Sequence, residues 1–345
     1  MPRRKHEIPR SEQEVPERIR TKVRPPLLVV LGSPTAVVNL LTGCATPGAT
    51  CYQMDLFQAE RLREGLDEVE SNAEVVTAPD LWDLPADFQT AVYLPARGGE
   101  RELKIDMIEQ AFHVLKPRGQ LVIWSPHDTD RFFPLQLKKV FGRVHGDNNA
   151  PVFWSQREGD RPRRRHEVTF QARVAGGESC RFLSRPGTFS YGRLDEGARA
   201  LAEVMEVEPG DRVLDIGCGV GTNGVFAAQR SGPEGHIAFV DSNVRATAVA
   251  ELNARANGVA HFDVVASSRV EGLPPDSFDI AVANPPYHAG GPIARLFVER
   301  ARELLTPQGR FYLVTKQPEQ VVGAIEETFD AVEAFACRGY TVLRA

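Results

Sequence analysis

Residues 213–221 of the chain read VLDIGCGVG, an apolar stretch that runs into a glycine-rich turn. The apolar part predicts a buried strand, and the residues after the turn, 224–228, predict a helix. Glycines at such a turn let a ligand approach the backbone closely, as in doubly wound α/β sheets. A second apolar stretch, residues 236–240, ends in Asp241, where a carboxylate can accept hydrogen bonds from ribose hydroxyls. The order strand, turn, helix, strand therefore predicts a parallel α/β sheet with a nucleotide site at one edge.

The glycine spacing distinguishes between nucleotide cofactors. Gly217, Gly219 and Gly221 alternate, and the third glycine of the dinucleotide pattern is missing at its offset. Asp215 stands just before the first glycine, where it can meet the ammonium of S-adenosylmethionine directly or through water. The alternative for Asp215 is a helix N-cap or turn residue. Cys218 is expected to be a small apolar filler of the loop.

A second motif, Asn284-Pro285-Pro286-Tyr287, follows the apolar stretch 278–283. The exocyclic amine of a purine is a poor nucleophile because its lone pair is delocalised into the ring. The Asn284 side-chain oxygen and the Pro285 carbonyl can both accept hydrogen bonds from such an amine and support its developing positive charge. Two prolines stiffen the loop, and Tyr287 can stack on a base. The alternative is an ordinary proline turn with Tyr287 as cover for the core. Together the two motifs indicate methylation of an amine conjugated to a π-system.

From about residue 180 to the end, the chain resembles the bacterial ribosomal RNA guanine-N2 methyltransferases of the small-subunit methyltransferase C type. The matching motifs are PGTFS at 186–190, LDEG at 194–197, DIGCG at 215–219, ASS at 266–268 and NPPYH at 284–288. The resemblance implies S-adenosylmethionine as cofactor and ribosomal RNA or a ribosomal subunit as partner. It also implies that Ser267 and Ser268, or the backbone near them, receive the adenine amine. Tyr287 departs from the phenylalanine more frequent in the family and is common in adenine-N6 and glutamine-N5 enzymes.

Three sets of site residues follow from the motifs and the resemblance. The expected catalytic residues are Asn284, Pro285, Pro286 and Tyr287. The expected cofactor-binding residues are Phe189, Asp215, Gly217, Cys218, Gly219, Asp241, Ser242, Ser267, Ser268 and Asn284. The expected RNA contacts are Arg163, Arg164, Arg165 and His288. No general base is needed, because the amine can lose its proton to water after transfer.

The N-terminal half contains a degenerate copy of the same pattern. The stretch VYLP at 92–95 aligns with VANP at 282–285, and a second pair, around Pro117 and Pro307, is separated by the same interval. In the first copy Leu94 replaces the asparagine of the motif, and the glycine-rich turn is reduced to Gly32-Ser33-Pro34. This half is therefore expected to bind no cofactor.

Composition sets the broad class of the protein. The net charge is −5, so any RNA contact must use local patches rather than bulk charge. Residues 1–25 are basic and proline-containing and are expected to be disordered, whereas the run 161–166 is either a solvated linker or a phosphate contact. No apolar run approaches membrane-spanning length, and the N-terminus lacks the apolar segment of a signal peptide. Five cysteines without ligand spacing indicate a reducing cytoplasm and no metal.

We therefore predict an α/β chain with two tandem doubly wound, Rossmann-like methyltransferase domains, the first degenerate and the second catalytic. The predicted boundaries are a disordered tail at 1–25, the degenerate domain at 26–150, a basic linker with the first strand of the next domain at 151–180, and the catalytic domain at 181–345. Helices are predicted at 100–115, 194–205, 244–257, 292–305 and 317–328, and one last antiparallel strand at 337–344.

The predicted activity is methylation of an exocyclic amine, guanine N2 in ribosomal RNA, by a cytoplasmic monomer. Adenine-N6 methylation of nucleic acid and glutamine-N5 methylation of protein stay open as alternatives. An alternative of another class is a non-catalytic RNA-binding or ribosome-assembly protein. The complete asparagine motif argues against it, because binding alone does not need Asn284.

Overall fold

The structure is a computed structural model, and it describes residues 13–46, 48–146, 151–174, 176–285 and 290–345. The chain divides into two compact units, Met1–His166 and Glu167–Ala345, called here the first and the second unit. Among the described residues, no helix is both long and apolar enough to span a membrane.

The first unit is built on a six-stranded sheet with the order β3-β2-β1-β4-β5-β6. Its strands are parallel except β6, which pairs antiparallel with β5 at the edge. The strands are β1 Leu27–Val30, β2 Thr50–Gln53, β3 Glu74–Thr77, β4 Phe88–Tyr93, β5 Leu115–Trp124 and β6 Val152–Gln156. The helices are α1 Glu17–Arg20, α2 Pro34–Cys44, α3 Leu56–Glu68, α4 Arg101–Val114 and α5 Phe132–Phe141, with a 3-10 turn at Leu81–Asp83.

The second unit repeats this plan with a seven-stranded sheet of order β11-β10-β9-β12-β13-β15-β14 and a separate hairpin of β7 and β8. Its strands are β7 Val168–Ala172, β8 Cys180–Ser184, β9 Arg212–Ile216, β10 His236–Asp241, β11 Phe262–Ala266, β12 Phe278–Ala283, β13 Leu305–Thr315, β14 Glu333–Cys337 and β15 Tyr340–Arg344. Its helices are α6 Glu196–Val204, α7 Thr222–Ser231, α8 Val244–Ala256, α9 Gly290–Leu304 and α10 Val322–Glu326, with a 3-10 turn at Pro318–Gln320.

Helices cover both faces of each sheet, and this explains why the strands read as continuous apolar runs. Along β9 the side chains alternate, so that Val213 enters one buried cluster and Leu214 enters the cluster on the opposite face. The shared strand order of the two units confirms the tandem doubly wound fold predicted from the internal repeat.

Three stretches differ from the predicted organisation. Residues 17–20 of the expected disordered tail form α1, because Ile19 and Val15 are buried against the first unit; residues 1–12 lie outside the described part. The expected linker 151–180 contains β6, which extends the first sheet, and β7, whose hairpin partner β8 begins at Cys180. In place of the single last strand predicted at 337–344, the structure has a hairpin of β14 and β15. Arg338 and Gly339 adopt positive φ values and form the turn between the two strands.

The remaining helices agree closely with the prediction except in one place. The predicted helix 317–328 is a 3-10 turn followed by the short α10. Pro318, which lacks an amide hydrogen, stands at the start of this segment, and Gly323 lies inside it. Proline is tolerated in the first turn of a helix, whereas a glycine in the interior weakens it, so Gly323 is the residue that disfavours a continuous helix.

The basic run 161–166 belongs to the first unit, where most of it packs on the protein. Arg161 forms an ion pair of 3.3 Å with the buried carboxylate of Glu109, and Arg165 forms one of 3.4 Å with that of Asp80. The guanidinium groups of Arg163 and Arg165 also lie over the Trp82 ring. Only Arg164 is exposed with no such contact among the described residues. Most of the run is therefore not a solvated linker but packs against the protein surface that includes α4.

Candidate active site

The predicted motifs meet at the carboxyl edge of the second sheet. Strands β9 and β12 are parallel neighbours, and Ile216 at the end of one is in register with Ala283 at the end of the other. The strand order reverses between them, which is the position where doubly wound sheets bind ligands. The glycine turn leaves β9 and Asn284 leaves β12 at this same point, so the fold joins two motifs that are far apart in sequence.

The glycine turn is held by the carboxylate of Asp241, at the end of β10. Its Oδ2 accepts a hydrogen bond of 2.8 Å from the amide of Gly219, and its Oδ1 accepts one of 2.8 Å from the amide of Asn243. Gly217 and Gly219 have φ values of 68° and 56°, which side chains with a Cβ rarely adopt. Asp241 thus fixes the turn, in addition to standing where a ribose would be expected.

Asp215, inside the edge, is an unusual carboxylate because it is almost fully buried. Its Oδ2 accepts a hydrogen bond of 2.8 Å from the amide of Gly224, in the first turn of α7. Burial and, to a smaller extent, the nearby charge of Asp241 raise the pKa of Asp215 to about 7 against the opposing effect of this hydrogen bond. The N-cap residue of α7, Gly221, has no side chain that could cap the helix. Asp215, although it lies on β9, therefore caps the first turn of α7.

Cys218 is buried in the turn. Burial raises the pKa of its thiol well above the usual range, and the charges of Asp241 and Asp215 add to this. The side chain is therefore a neutral filler, in agreement with its predicted role.

Asn284 lines the cleft and carries a buried hydrogen-bond acceptor that has no partner among the described residues. Its Nδ2 donates to Oδ2 of Asp195 at 3.0 Å, and the same oxygen accepts from the amide of Ala198 to cap helix α6. Because Asp195 receives the amide nitrogen, the orientation of the Asn284 carboxamide is fixed. Its Oδ1 is buried and has no hydrogen-bond partner among the described residues. A buried acceptor without a partner is costly, so it indicates a donor supplied by a ligand.

A covering loop, residues 185–193, closes over the glycine turn. Asn243 Nδ2 donates to the carbonyl of Gly187 at 2.8 Å, and the fully buried Arg245 donates from Nη1 to the carbonyl of Pro186 at 2.6 Å. Phe189 lies half exposed at the mouth of the cleft. It is close to the glycine turn, because a Cβ added to Gly219 would lie 3.8 Å from the Cβ of Phe189. The N-terminal end of α8 therefore ties the covering loop to the strand end that carries Asp241.

The cleft at this point is enclosed by the glycine turn, the start of α7, the covering loop and the two asparagines. Its lining residues are Phe189, Ser190, Arg193, Asp195, Ala198, Gly217, Cys218, Gly219, Val220, Thr222, Asn223 and Asn284. Five of the predicted site residues are in this group.

The family comparison agrees with this geometry: residues 179–344 match the model of the methyltransferase small domain. The matched residues make up nearly the whole second unit. Its Asn-Pro-Pro-Tyr motif and its glycine turn both fall within the matched residues.

Curated relatives of this domain are ribosomal RNA small subunit methyltransferases C. The protein of that name from Pseudomonas aeruginosa is 35% identical over 145 residues, which are 41% of this chain and 42% of the relative. The one from Chromohalobacter salexigens is 39% identical over 140 residues, 38% of this chain and 40% of the relative. The chain thus matches about two fifths of the length of these relatives. These matches confirm the resemblance drawn from the motifs.

One solved structure is similar over nearly the whole chain. A T. thermophilus 16S rRNA N2 methyltransferase, in complex with AdoMet and guanosine, has a TM-score of 0.75 at 22% identity and covers 95% of this chain and 90% of its own. At this identity the likeness shows the fold, including the fold of the degenerate first unit.

The other predicted site residues of the second unit either lie outside the enclosed cleft or are not among the residues that the structure describes. Ser267, after β11, is tied to the neighbouring strand by its amide, which donates to the Asp241 carbonyl at 3.0 Å. Its hydroxyl accepts a hydrogen bond of 2.9 Å from the amide of Glu271. Ser242 and Ser268 lie at the same edge, beside these strand ends. Pro286, Tyr287 and His288 lie outside the described residues, and Arg163, Arg164 and Arg165 lie in the first unit.

The predicted set lacks several residues of the site, among them Asp195, Asn223, Asn243 and Arg245. Asp195 orients Asn284, Asn223 lines the cleft, and Asn243 and Arg245 hold the covering loop. Asp195 belongs to the LDEG motif, which the sequence analysis noted, but the motif alone did not reveal that Asp195 orients Asn284. The other three form long-range contacts or line a cleft, and no local pattern reveals either.

Proposed function

We propose that this protein is an S-adenosylmethionine-dependent methyltransferase that acts on guanine N2 in ribosomal RNA. The observation that carries the proposal is the buried, unpartnered Oδ1 of Asn284, a residue that lines the cleft and whose Nδ2 is held by Asp195. An acceptor at this place suits the NH₂ group of a base whose nitrogen is to be alkylated. The names of the curated relatives and of the T. thermophilus neighbour favour ribosomal RNA as the substrate class. A ribosomal RNA substrate in turn favours the cytoplasm as the location.

The residues of the cleft fit an S-adenosyl cofactor. Two buried carboxamide oxygens, of Asn284 and Asn223, have no partner among the described residues, although both side chains line the cleft. The glycines at 217 and 219 leave the backbone accessible, and Asp241 stands at the next strand end to meet a ribose. Gly217, Gly219, Asp241 and Phe189 would hold the nucleoside part, with Ser267 and Ser268 nearest the adenine.

The protein contributes orientation and electrostatics to the transfer. When bound, S-adenosylmethionine supplies the methyl group: the nitrogen–carbon bond forms as the carbon–sulfur bond breaks, and the electron pair stays on sulfur. Asn284 Oδ1 and the Pro285 carbonyl accept hydrogen bonds from the amine, which keeps its lone pair out of ring conjugation and supports the developing positive charge. Asp195 holds the Asn284 carboxamide in place before the substrate arrives. The nitrogen then releases its extra proton to water.

Single-turnover assays with labelled S-adenosylmethionine and small ribosomal subunits test the proposal. Asn284→Ala should bind the cofactor with nearly unchanged affinity and transfer the methyl group about 10²–10³-fold more slowly, the effect of losing one preorganised contact. Asn72→Ala, at an exposed turn of the first unit, is the matched control and should transfer at the normal rate.

Mass spectrometry of the digested product identifies the methylated atom. The proposal requires N2-methylguanosine. Label recovered as N6-methyladenosine or on a protein glutamine would move the assignment to one of the alternative substrates. Normal activity of Asn284→Ala, or no transfer by the wild-type protein to any of these acceptors, would contradict the mechanism.

A further inference from the structure

The covering loop ends in a basic residue, Arg193, that the chemistry described above does not use. Arg193 lines the cleft together with Asn284, and it is exposed to solvent. Its amide donates a hydrogen bond of 3.2 Å to the carbonyl of Ser190, so the backbone is held at this position. Its guanidinium group has no ion pair, hydrogen bond or ring contact within the described part of the chain. The donors of this group are therefore available to a ligand.

The carboxylates closest to Arg193 in the chain already have other partners. Asp195 accepts a hydrogen bond of 3.0 Å from Asn284 and caps helix α6. Glu196 forms ion pairs with two other arginines, at 3.8 Å and 3.6 Å. The positive charge of Arg193 at the cleft is therefore not neutralised by a neighbouring side chain, and the partner that suits it is an anion.

The lack of a partner distinguishes Arg193 from most arginines of the second unit. Most of them form ion pairs with carboxylates, donate to backbone carbonyls or lie over aromatic rings. Among the described residues of this unit, Arg173, Arg181 and Arg269 are also exposed and lack such contacts, but none of these three lines the cleft. Arg193 thus combines an unpaired guanidinium group with a position at the site.

The chemistry of the site indicates which anion this is. A base whose amine reaches Asn284 must leave its stack, and its ribose and phosphates then lie at the entrance of the cleft. A guanidinium group can donate two hydrogen bonds to one phosphate. The protein has a net charge of −5, so its phosphate contacts need local cations. The basic run 161–166 supplies few of them, since Arg161 and Arg165 pair with buried carboxylates.

We propose that Arg193 binds a backbone phosphate of the substrate RNA, beside the nucleotide whose base is held at Asn284. The inference rests on the proposed function, because it takes RNA as the substrate. Phosphate contacts carry no sequence information, but they fix the register of the nucleic acid on the protein. Arg193 therefore anchors the nucleotide, whereas Asn284 and Pro285 act on its amine.

Steady-state methylation of small ribosomal subunits, with labelled S-adenosylmethionine and the full chain, tests this role. Arg193→Ala should raise KM for the subunits on the order of tenfold, because a hydrogen bond to a charged group is lost. Its kcat should be nearly unchanged, since a phosphate contact is made equally before and during methyl transfer. The slope of log(kcat/KM) against the logarithm of the monovalent salt concentration should become shallower by about 0.7–0.9.

Three further variants complete the test. Arg193→Lys keeps the charge and should keep the wild-type salt slope. Arg193→Gln removes the charge but keeps more of the side chain, so the test stays available if the alanine variant does not fold. Arg181→Ala is the matched control, because Arg181 is also exposed and unpaired. It lies on β8 beside the C-terminal end of α8, where its amide donates to Asn257 at 3.0 Å, so KM and the salt slope should not change.

Titration with S-adenosylhomocysteine separates RNA binding from cofactor binding, because Arg193→Ala should bind this compound with unchanged affinity. A wild-type salt slope in Arg193→Ala, an effect of the same size in Arg181→Ala, or weaker binding of S-adenosylhomocysteine by Arg193→Ala would overturn the role of Arg193 while leaving the proposed function intact. Absence of methyl transfer to the subunits by the wild-type protein would instead remove the proposed function, and this inference with it.

Discussion

At the scale of single residues, the site depends on which atom of an amide faces the ligand. Asn284 has one donor and one acceptor end, and Asp195 takes the donor end. The aspartate is itself held by its role as the N-cap of α6. The acceptor is therefore preorganised by a residue that needs no contact with the substrate.

This pairing predicts the effect of exchanging the two side chains. Asn284→Asp should be strongly impaired, because the new carboxylate would face that of Asp195 without a hydrogen between them. Adding Asp195→Asn restores one donor and one acceptor, so the double variant should recover at least tenfold in single-turnover rate over Asn284→Asp. If the double variant is no faster than the single one, Asp195 does not orient the amide.

The buried Asp215 predicts a pH-dependent stability. Its folded-state pKa of about 7 lies above the ordinary value of an aspartate, so its contribution to stability is fully present below about pH 4 and is lost as the pH rises to about 7. Asp215→Asn, which can still accept from Gly224, should be more stable than the wild-type protein at pH 8 and lose this advantage at pH 5. Urea unfolding at both pH values measures the difference. An equal difference at both would mean that Asp215 has an ordinary pKa.

At the scale of elements, helix α8 connects the covering loop to the strand ends. Asn253 on this helix donates to the carbonyls of Leu183 and Val220, both at 2.9 Å, and so joins β8 to the glycine turn. The start of the helix holds the loop itself through Asn243 and Arg245. The loop is therefore positioned by one helix and does not depend on its own sequence alone.

Arg245 is the residue that tests this arrangement. Arg245→Met should destabilise the second unit by about 1.5–3 kcal/mol, the range for losing a hydrogen bond of a charged group, and should increase amide exchange in residues 185–193. Arg255→Met is the control on the same helix, because Arg255 is exposed and pairs at the surface with Glu251. That change should cost less than about 1 kcal/mol. Unchanged amide exchange in Arg245→Met would show that the loop is held by other contacts.

The basic run 161–166 is also an element whose role the tertiary structure changes. Burial and the charges of Arg163, Arg157 and Arg161 lower the pKa of His113 to about 4, so the cluster under the run keeps a neutral histidine. Arg165 faces the buried Asp80, whereas Arg164 faces solvent. These two neighbours should therefore respond differently to replacement.

Arg165→Ala should lower the stability of the first unit by about 1 kcal/mol, because its ion pair is half exposed. Arg164→Ala should leave stability unchanged. If the run contacts RNA, Arg164→Ala should also reduce the salt dependence of RNA binding by about 0.9 in the logarithmic slope, the value for one duplex phosphate. Thermal unfolding and binding titrations at several salt concentrations distinguish the two effects. An unchanged slope in Arg164→Ala would remove this residue from the RNA contacts.

At the scale of the whole molecule, the chain contains two sheets whose five parallel strands have the same order but whose carboxyl edges carry different side chains. In the first unit Leu94 follows β4 as Asn284 follows β12, and it is buried. A Cβ at Gly32 would lie 2.9 Å from that of Leu94, and Gln53 donates to the Gly32 carbonyl at 3.1 Å. Apolar and amide side chains thus close the edge that the second unit keeps open.

We therefore expect one S-adenosylhomocysteine per chain. Isothermal titration of the full chain should give a stoichiometry near one, and Asp241→Ala should abolish or weaken that single event. The variant Leu94→Asn should not add a second site, because Gln53 and the short turn at Gly32 still occupy the edge. A stoichiometry of two would contradict this view of the first unit.

The sequence by itself determined the fold, the internal repeat and the two central motifs of the site. Apolar strands, glycine spacing and strand-end acids are local patterns, and the parallel fold brings strand ends together at one edge whatever the remaining sequence is. This is why Gly217, Gly219 and Asn284 could be named in advance and were found to line one cleft.

Only the tertiary structure decided which partner each polar group has. The bond from Asn284 to Asp195, the burial of Arg245 under the covering loop and the unpartnered oxygen of Asn223 depend on side chains that are distant in sequence or enclosed by other elements. The same is true of the basic run, whose charge was visible in the sequence while its buried carboxylate partners were not. Hydrogen bonds and ion pairs act over a few ångströms in space, and chain order does not specify which groups come within that distance.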